Sequence, residues 1–147
     1  MRLKGKKAIV TGGASGFGEG IVRKFVSEGA DVLIADLNIE AAQKLSDELG
    51  TAVLASETNV AKNYSVLKMV ALASAELGGV DILVNNAGIT HLPAPMEEVS
   101  DEDFDKVFTV NCKSVFLTAK HIVPIFKSQR SGVILNVAST AGVSPRP

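Results

Sequence analysis

Thr11-Gly12-Gly13-Ala14-Ser15-Gly16-Phe17-Gly18, called the glycine turn below, decides the fold of this chain. An apolar strand pattern at 8–10 runs into this turn, and a helix pattern runs out of it. The first turn of a helix offers unpaired N–H groups and the positive end of the helix dipole, and both suit a pyrophosphate. Gly12 allows backbone torsions that a side chain forbids, Gly16 lets a ligand approach the backbone, and Gly18 lets the helix pack close to the strand.

An acidic residue, Asp36, follows the next apolar run at 32–35. Its carboxylate would accept hydrogen bonds from the ribose hydroxyls of an adenosine and would repel a 2′-phosphate, so the sequence favours NAD over NADP. Neither Arg nor Lys stands at positions 15, 37 or 38, where such a phosphate would be held. The alternative is that Asp36 is only a solvated loop acid.

Composition limits the class of protein. A chain of 147 residues suggests one domain over 1–147, and 46% hydrophobic residues with a mean hydropathy of +0.25 suggest a sheet buried on both faces. The net charge of −1 gives no reason to expect nucleic acid or an anionic membrane as partner, and no apolar run is long enough for a membrane span. The single cysteine, Cys112, excludes an internal disulfide and a cysteine-rich zinc site, so we expect a cytoplasmic protein without a metal.

Short apolar runs alternate with helix patterns along the chain. The runs are continuous, as expected of parallel strands covered on both faces, and they lie at 8–10, 32–35, 52–55, 82–84 and 133–135. Helix patterns lie at 16–28, 39–49 and 62–77. This alternation predicts an α/β fold with a doubly wound parallel sheet in three α/β/α layers.

The longest helix pattern covers 101–127, after a capping signal at Ser100 and Asp103. Pro124 is expected to kink this helix or to tighten its last turns. Three-and-four spacing predicts one buried stripe made of Phe104, Val107, Phe108, Cys112, Val115, Phe116, Ala119, Ile122, Val123 and Phe126. Asn111 lies on the same stripe, where spacing alone favours an amide bonded to a neighbouring loop.

Two polar segments follow the fourth and fifth strand patterns. Asn85-Asn86-Ala87-Gly88, called the amide turn below, would line the crevice at the carboxyl end of its strand and bond backbone and cofactor through its amides. The hydroxyl of Ser139 would face the same crevice, and no Gly-x-Ser-x-Gly elbow supports a serine hydrolase. His91 and His121 lack metal-ligand spacing, so we interpret them as ordinary loop and helix residues.

Together these residues resemble the short-chain dehydrogenase/reductase family. The glycine turn, Asp36, the amide turn, Asn111 and Ser139 occur in that family's order and spacing, over the whole chain. The glycine spacing differs from the Gly-x-x-Gly-x-x-Gly of the family's extended, epimerase-like branch. The resemblance implies a Rossmann-like dinucleotide-binding domain, a nicotinamide cofactor, and hydride transfer between an alcohol and a carbonyl.

The resemblance also implies roles for single residues. The residues implied to bind the cofactor are Gly12, Ser15, Gly16, Phe17, Gly18, Asp36, Leu37, Asn59, Val60, Asn86, Ala87 and Gly88. Asp36 and Leu37 would hold the adenosine ribose. Ser139 would hydrogen-bond the substrate oxygen, and Asn111 would fix a water in the proton relay.

The sequence departs from the family pattern in two places. Asn59 stands where the family usually has Asp, and its amide can still bond adenine. The family's acid–base pair, Tyr-x-x-x-Lys, should follow Ser139, but the sequence ends at Pro147. Tyr64 and Lys68 match this short pattern, yet they precede the amide turn on a predicted helix, and we interpret them as an ordinary helix pair. We therefore expect that the chain is the front part of a longer enzyme, inactive alone and lacking the family's C-terminal strands and helices.

Three functions of different class remain open. The first is an NAD-dependent oxidoreductase, an alcohol dehydrogenase or 3-oxoacyl-reductase-like ketoreductase acting on a small alcohol or ketone. The second is a dinucleotide-binding or regulatory module without turnover, and the third is a structural domain with an empty crevice. The apolar segment 89–96 suggests a substrate with a nonpolar body. By resemblance, helix 101–127 would pair with its counterpart in a homodimer or homotetramer, although one core-facing stripe explains its pattern equally well.

Overall fold

The computed structural model describes residues 1–139, and every structural statement here concerns those residues. One parallel sheet of five strands lies at the centre, in the order β3-β2-β1-β4-β5. The strands are β1 (Lys7–Thr11), β2 (Asp31–Asp36), β3 (Val53–Glu57), β4 (Ile82–Asn85) and β5 (Val133–Asn136). The strand order reverses between β1 and β4, which places a crevice at their carboxyl ends.

Helices cover both faces of the sheet. They are α1 (Gly16–Ser27), α2 (Ile39–Leu49), α3 (Asn63–Glu76), α4 (Asp101–Phe108) and α5 (Ser114–Gln129), with a short 3₁₀ turn at Met96–Glu98. Apolar residues of α1 and α2 pack in one core, and those of α3 and α5 pack in another. Consecutive strand residues point to opposite faces, so Val10 belongs to the first core and Ile9 to the second. The predicted three-layer, doubly wound α/β fold is confirmed.

The predicted boundaries of the first four strands and three helices are close to the observed ones. The largest shift is at the third strand, which was predicted at 52–55 and runs over Val53–Glu57. Its last residues, Ser56 and Glu57, pair with Ala35 and Asp36, so pairing with β2 extends β3 beyond its apolar run. Among residues 1–139, no helix has the length and apolarity that a bilayer crossing requires.

The helix predicted at 101–127 is interrupted by a π-helical segment, Thr109–Lys113, between α4 and α5. Sequence periodicity gave no sign of it, because a π segment adds residues to a turn without changing residue types. Pro124 lies within α5, whose range continues past it to Gln129.

The prediction of one buried stripe on this helix is wrong at Phe104, Phe108, Cys112 and Phe116, which are all exposed. Phe104, Phe108 and Phe116 are 61%, 55% and 62% exposed, and the face of α5 that packs on the sheet carries Ser114, Leu117, Thr118 and Ile122. Only Ile122 of the predicted stripe is fully buried. Apolar spacing identifies a face that avoids water, and it does not identify which surface covers that face.

Candidate functional site

The glycine turn joins β1 to α1 and packs directly on the amide turn. Gly12 and Gly16 have positive φ of 60° and 56°, a region that favours glycine. A Cβ on Gly12 would lie 2.9 Å from the Cα of Ala87. A Cβ on Gly18 would overlap the carbonyl oxygen of Gly12 and lie 2.6 Å from Nδ2 of Asn86. The absence of a side chain at Gly18 therefore lets α1 lie close to the backbone of Gly12 and to the side chain of Asn86.

Hydrogen bonds to Thr11 and Asn86 hold the two turns together. The hydroxyl of Thr11 donates to the carbonyl of Val84 at 3.3 Å and accepts from the amides of Asn86 and Ala87 at 3.0 and 3.1 Å. The side-chain Nδ2 of Asn86 donates to the carbonyls of Thr11 and Gly12, both at 3.0 Å. The side-chain amide of Asn86 thus bonds backbone, as predicted for the amide turn, whereas that of Asn85 bonds the side chains of Thr118 and Asn136. A cofactor bond from this turn stays a prediction.

Asp36 ends β2 beside the glycine turn. Its Oδ2 accepts from the amide of Ala14 at 3.0 Å, and its Oδ1 accepts from the amide of Asn38 at 3.0 Å. These bonds fix the carboxylate at the carboxyl edge of the sheet, next to the exposed side chain of Leu37. A carboxylate held by backbone amides is available to accept further hydrogen bonds through its remaining lone pairs.

A cavity of about 580 Å³ opens at this edge, within the range of small-molecule sites. It joins the glycine turn, Asp36 and the amide turn in one space. Its lining residues are Gly12, Ser15, Phe17, Gly18, Ala35, Asp36, Leu37, Thr58, Asn59, Val60, Ala61, Asn86, Ala87, Gly88, Ile89, Lys106 and Val110. All of the predicted cofactor residues except Gly16 are among them.

Six lining residues were not predicted. Ala35, Thr58, Ala61 and Ile89 are neighbours of predicted residues, so proximity in the chain was a usable signal. Lys106 and Val110 lie far along the chain on α4 and the π segment, and nothing in the sequence placed them here. They reach the cavity because the helix docks beside β4, which is a tertiary effect.

Asn59, which stands where the family usually has Asp, forms hydrogen bonds with residues close in the chain. The Oδ1 of Asn59 accepts from the amide of Ala61 at 3.0 Å, and its own amide donates to the hydroxyl of Ser65 at 2.9 Å. These bonds keep the start of α3 beside the cavity, where Val60 also lies. A contact between the Asn59 amide and adenine stays a prediction.

Asn111, in the π segment, holds the loop after β4. Its Oδ1 accepts from the amide of Ile89 at 2.9 Å, and its Nδ2 donates to the carbonyl of the same residue at 2.8 Å. Asn111 itself is not among the cavity-lining residues, whereas Ile89 is. Asn111 therefore bonds a neighbouring loop, as its spacing in the sequence favoured. A role of Asn111 in a proton relay stays a prediction.

We expect Asn111→Leu to loosen this loop, because it removes both bonds to Ile89. Hydrogen exchange at the Ile89 amide should accelerate about tenfold, the factor that corresponds to the loss of one net hydrogen bond. Lys113→Leu is the control, since Lys113 is an exposed residue of the same π segment and both bonds to Ile89 come from Asn111, so the protection should be retained. Unchanged exchange in Asn111→Leu would contradict the clamp role.

Ser139 lies past the end of β5 and is exposed. A chain of polar side chains, buried at Thr118 and Asn85 and exposed at Asn136, links α5 to this end of the sheet: Thr118 donates to Oδ1 of Asn85 at 2.9 Å, and Nδ2 of Asn85 donates to Oδ1 of Asn136 at 2.8 Å. Ser139 is not among the residues that line the cavity. Its predicted contact with a substrate oxygen remains a prediction.

The Tyr64–Lys68 pair lies on α3, away from the cavity lining. The ammonium of Lys68 is 5.8 Å from the ring centroid of Tyr64, one helical turn away, which is an exposed cation–π contact.

The two histidines form hydrogen bonds within the chain. His121 bonds Asn63, and His91 bonds the carbonyl of Leu92. Within residues 1–139, no group of three or more His, Cys, Asp or Glu side chains is arranged to hold a metal.

Comparisons with known proteins identify the family of the chain. The short chain dehydrogenase family model matches residues 6–147. The chain is 47% identical to 4-formylbenzenesulfonate dehydrogenase of Comamonas testosteroni, covering 100% of this chain and 60% of that protein, and 37% identical to 3-oxoacyl-[acyl-carrier-protein] reductase of Thermotoga maritima, covering 100% and 61%.

A solved structure agrees as well. The 3-ketoacyl-(acyl-carrier-protein) reductase of Brucella melitensis, complexed with NADH, superposes with a TM-score of 0.95 at 43% identity, covering 99% of this chain and 62% of that one. The chain thus spans about three fifths of the length of the relatives it matches. A family match over nearly the whole chain, with this fold, means that the chain belongs to the short chain dehydrogenase family.

Proposed function

We propose that this chain binds NAD across the carboxyl edge of its sheet and that the whole protein is an NAD-dependent oxidoreductase. The observation that carries the proposal is the single cavity shared by the glycine turn, Asp36 and the amide turn. Each of these three suits one part of a dinucleotide, namely the pyrophosphate, the adenosine ribose and the nicotinamide half. A nicotinamide cofactor, when bound, would donate a hydride to a carbonyl carbon in its reduced form and accept one from an alcohol carbon in its oxidised form.

The residues present fit such a cofactor. Ser15 and Phe17 are exposed at the start of α1, where helix N–H groups point toward the crevice and suit phosphate oxygens. A Cβ on Gly16 would have nothing within 4 Å, so the backbone there is open to a ligand. Val60 and Val110 supply apolar cavity walls that suit the faces of an adenine.

NAD is proposed in preference to NADP. Asp36 is a carboxylate held in place by two backbone amides, and it would meet a 2′-phosphate with like charge. Positions 15, 37 and 38 are Ser, Leu and Asn, so none of them offers a cation there. The reductase of known structure that this chain resembles was crystallised with NADH, which agrees with the preference.

The reaction is assigned to the whole protein as hydride transfer between NAD(H) and an alcohol or carbonyl. Ser139 would orient the substrate oxygen, and Asn111 would hold a water for the proton relay. The Tyr-x-x-x-Lys pair of the family has no counterpart in 1–147 near Ser139, since the one tyrosine is Tyr64 on α3. A general acid must reach the proton it transfers, so Tyr64 is not assigned this role.

The substrate class is proposed from the segment 89–96, which follows the amide turn. Exposed Leu92 and Met96 would give a substrate wall with apolar surface. A small alcohol or ketone with a nonpolar body suits this wall. The matched relatives include 4-formylbenzenesulfonate dehydrogenase and 3-oxoacyl-[acyl-carrier-protein] reductase, whose names give an aromatic aldehyde and a ketone as substrates.

Calorimetric titration with NADH and NADPH tests the proposal on the chain as it is. Binding of NADH with weaker binding of NADPH supports it, and the absence of heat with either ligand supports a structural domain instead. Alcohol-dependent formation of NADH by the whole protein separates an oxidoreductase from a binding module without turnover.

The free thiol of Cys112 suits a reducing compartment, so we assign the protein to the cytoplasm.

We also propose that the protein forms a homodimer or homotetramer through the aromatic face of Phe104, Phe108 and Phe116. Phe104 and Phe108 stack with centroids 6.1 Å apart, and all three rings are exposed in the single chain. Clustered exposed aromatic side chains are typical of protein–protein interfaces. Helices of two copies packed along this face would bury it.

Phe116→Glu is expected to reduce the mass in solution to that of one chain, 15.4 kDa, because it places a charge in an apolar interface. Light scattering after size exclusion measures this, and the unmodified protein should have at least twice that mass. Leu67→Glu is the matched control, since Leu67 is an exposed apolar residue on α3, outside this face. An unmodified protein that is already monomeric would contradict the proposal.

A further inference from the structure

Two charged side chains line the described cavity, Asp36 and Lys106, and they come from distant parts of the chain. Asp36 ends β2, whereas Lys106 lies in the last turn of α4. The carboxylate is already explained by the ribose assignment and by its two amide bonds. The ammonium of Lys106 has no part in the function proposed so far.

Lys106 is exposed, and within residues 1–139 its ammonium forms neither an ion pair nor a side-chain hydrogen bond. The ion pairs of the described chain lie elsewhere, on carboxylates such as Glu28, Glu48 and Asp81. Its charge is therefore not neutralised by a close partner on α4. A cation with this freedom is able to reach a ligand, since the lysine stem is long and flexible.

The direction of the chain places Lys106 on the side of the cavity nearer the carboxyl edge of the sheet. The connection from β4 to the parallel strand β5 starts at the carboxyl edge and must return to the amino edge, so its helices run antiparallel to the strands. Val110, which also lines the cavity, lies four residues further along, in the π segment. Lys106 is thus nearer the carboxyl edge than Val110 is.

We propose that Lys106 is a cofactor-binding residue that attracts the diphosphate of the dinucleotide. This inference rests on the proposed function. The diphosphate carries negative charge into a cavity whose other charged side chain is a carboxylate, and the ammonium of Lys106 offsets that repulsion. Lys106 acts through the charge of its exposed ammonium, so it strengthens dinucleotide binding most at low salt, where screening is weak.

Titration of NADH fluorescence with the unmodified chain, Lys106→Met and Lys44→Met tests this. Met keeps the unbranched stem and the helix propensity of Lys, and Lys44 is an exposed lysine on α2 outside the cavity. At low ionic strength, Lys106→Met should raise the Kd about three- to fivefold, the effect expected of one exposed charge contact. The difference should shrink toward about onefold near 0.5 M salt, because screening removes it.

Smaller ligands identify the group that Lys106 senses. ADP should show the same low-salt loss in Lys106→Met, whereas adenosine, which has no phosphate, should bind the variant and the unmodified chain equally. Lys106→Arg should restore ADP affinity. An equal loss with adenosine would overturn the diphosphate assignment, because the ammonium would then act on the base.

The outcomes separate this inference from the function on which it rests. If the unmodified chain bound neither NADH nor ADP, the proposed function would fail. If it bound both, and Lys106→Met matched Lys44→Met at every salt concentration, only the role of Lys106 would be wrong.

Discussion

Gly18→Ala is expected to have the largest effect of any single methyl group added to this chain. The new Cβ would overlap the carbonyl oxygen of Gly12 and lie 2.6 Å from Nδ2 of Asn86. Both belong to the contact between the glycine turn and the amide turn, and the backbone of Gly12 has no free space to retreat, since it packs on Ala87. The clash therefore pushes the two turns apart.

Overpacking of this kind costs about 1–3 kcal/mol of the free energy of unfolding, and backbone overlap places Gly18→Ala at the upper end. The midpoint of thermal unfolding should fall by about 5–10 °C for a chain of this size. NADH affinity should fall at least about tenfold, because hydrogen bonds from displaced amides to a charged phosphate are each worth about 1.5–3 kcal/mol. Thermal unfolding and NADH titration measure the two effects.

Gly20→Ala is the matched control on the same helix. A Cβ there has nothing within 4 Å, and Gly20 lies inside α1, where alanine is the better helix former. This variant should gain about 0.5–1 kcal/mol of stability and keep its NADH affinity. Equal effects of the two substitutions would show that the tight contact at Gly18 does not matter.

Asp36→Ala is expected to change which dinucleotide binds. The variant loses the carboxylate that would accept bonds from the ribose hydroxyls, and charge-assisted bonds of this kind are worth about 1.5–3 kcal/mol. NADH affinity should therefore fall by about ten- to a hundredfold. NADPH should bind the variant more tightly than it binds the unmodified chain, because repulsion of the 2′-phosphate is gone.

Asp47→Asn on α2 controls for the change in net charge, since Asp47 is exposed and outside the cavity. The amides of Ala14 and Asn38 lose their acceptor in Asp36→Ala, so its unfolding midpoint should be measured alongside. A variant that remains folded and keeps the original ratio of NADH to NADPH affinity would refute the role of Asp36 in cofactor choice.

Much of this site was predictable because its residues follow strands directly. In a parallel sheet the carboxyl ends of neighbouring strands meet at one edge, so the glycine turn, Asp36 and the amide turn had to lie together once the strands were recognised. The cavity contains all the predicted cofactor residues except Gly16, whose open backbone lies beside it. The end of a strand is set by residues close together in the chain, so the hydrophobic pattern of the sequence is enough to locate it.

The helix over 101–129 resisted prediction for the opposite reason. Its apolar spacing was recognised correctly, yet Phe104 and Phe116 face away from the sheet while Leu117 and Ile122 pack on it. Nothing in the spacing distinguishes a surface covered by the same chain from one left open. The π segment at Thr109–Lys113 was a further feature for which residue types gave no signal.

The sequence by itself determined the alternation of strands and helices, the glycine turn and the acid that follows the second strand. Only the tertiary structure decided that Lys106 and Val110 enter the cavity, that Asn111 clamps Ile89, and which face of α4 stays exposed. The first group depends on interactions between residues close in the chain. The second depends on how a helix docks against a sheet, and that docking is set by the packing of the whole core.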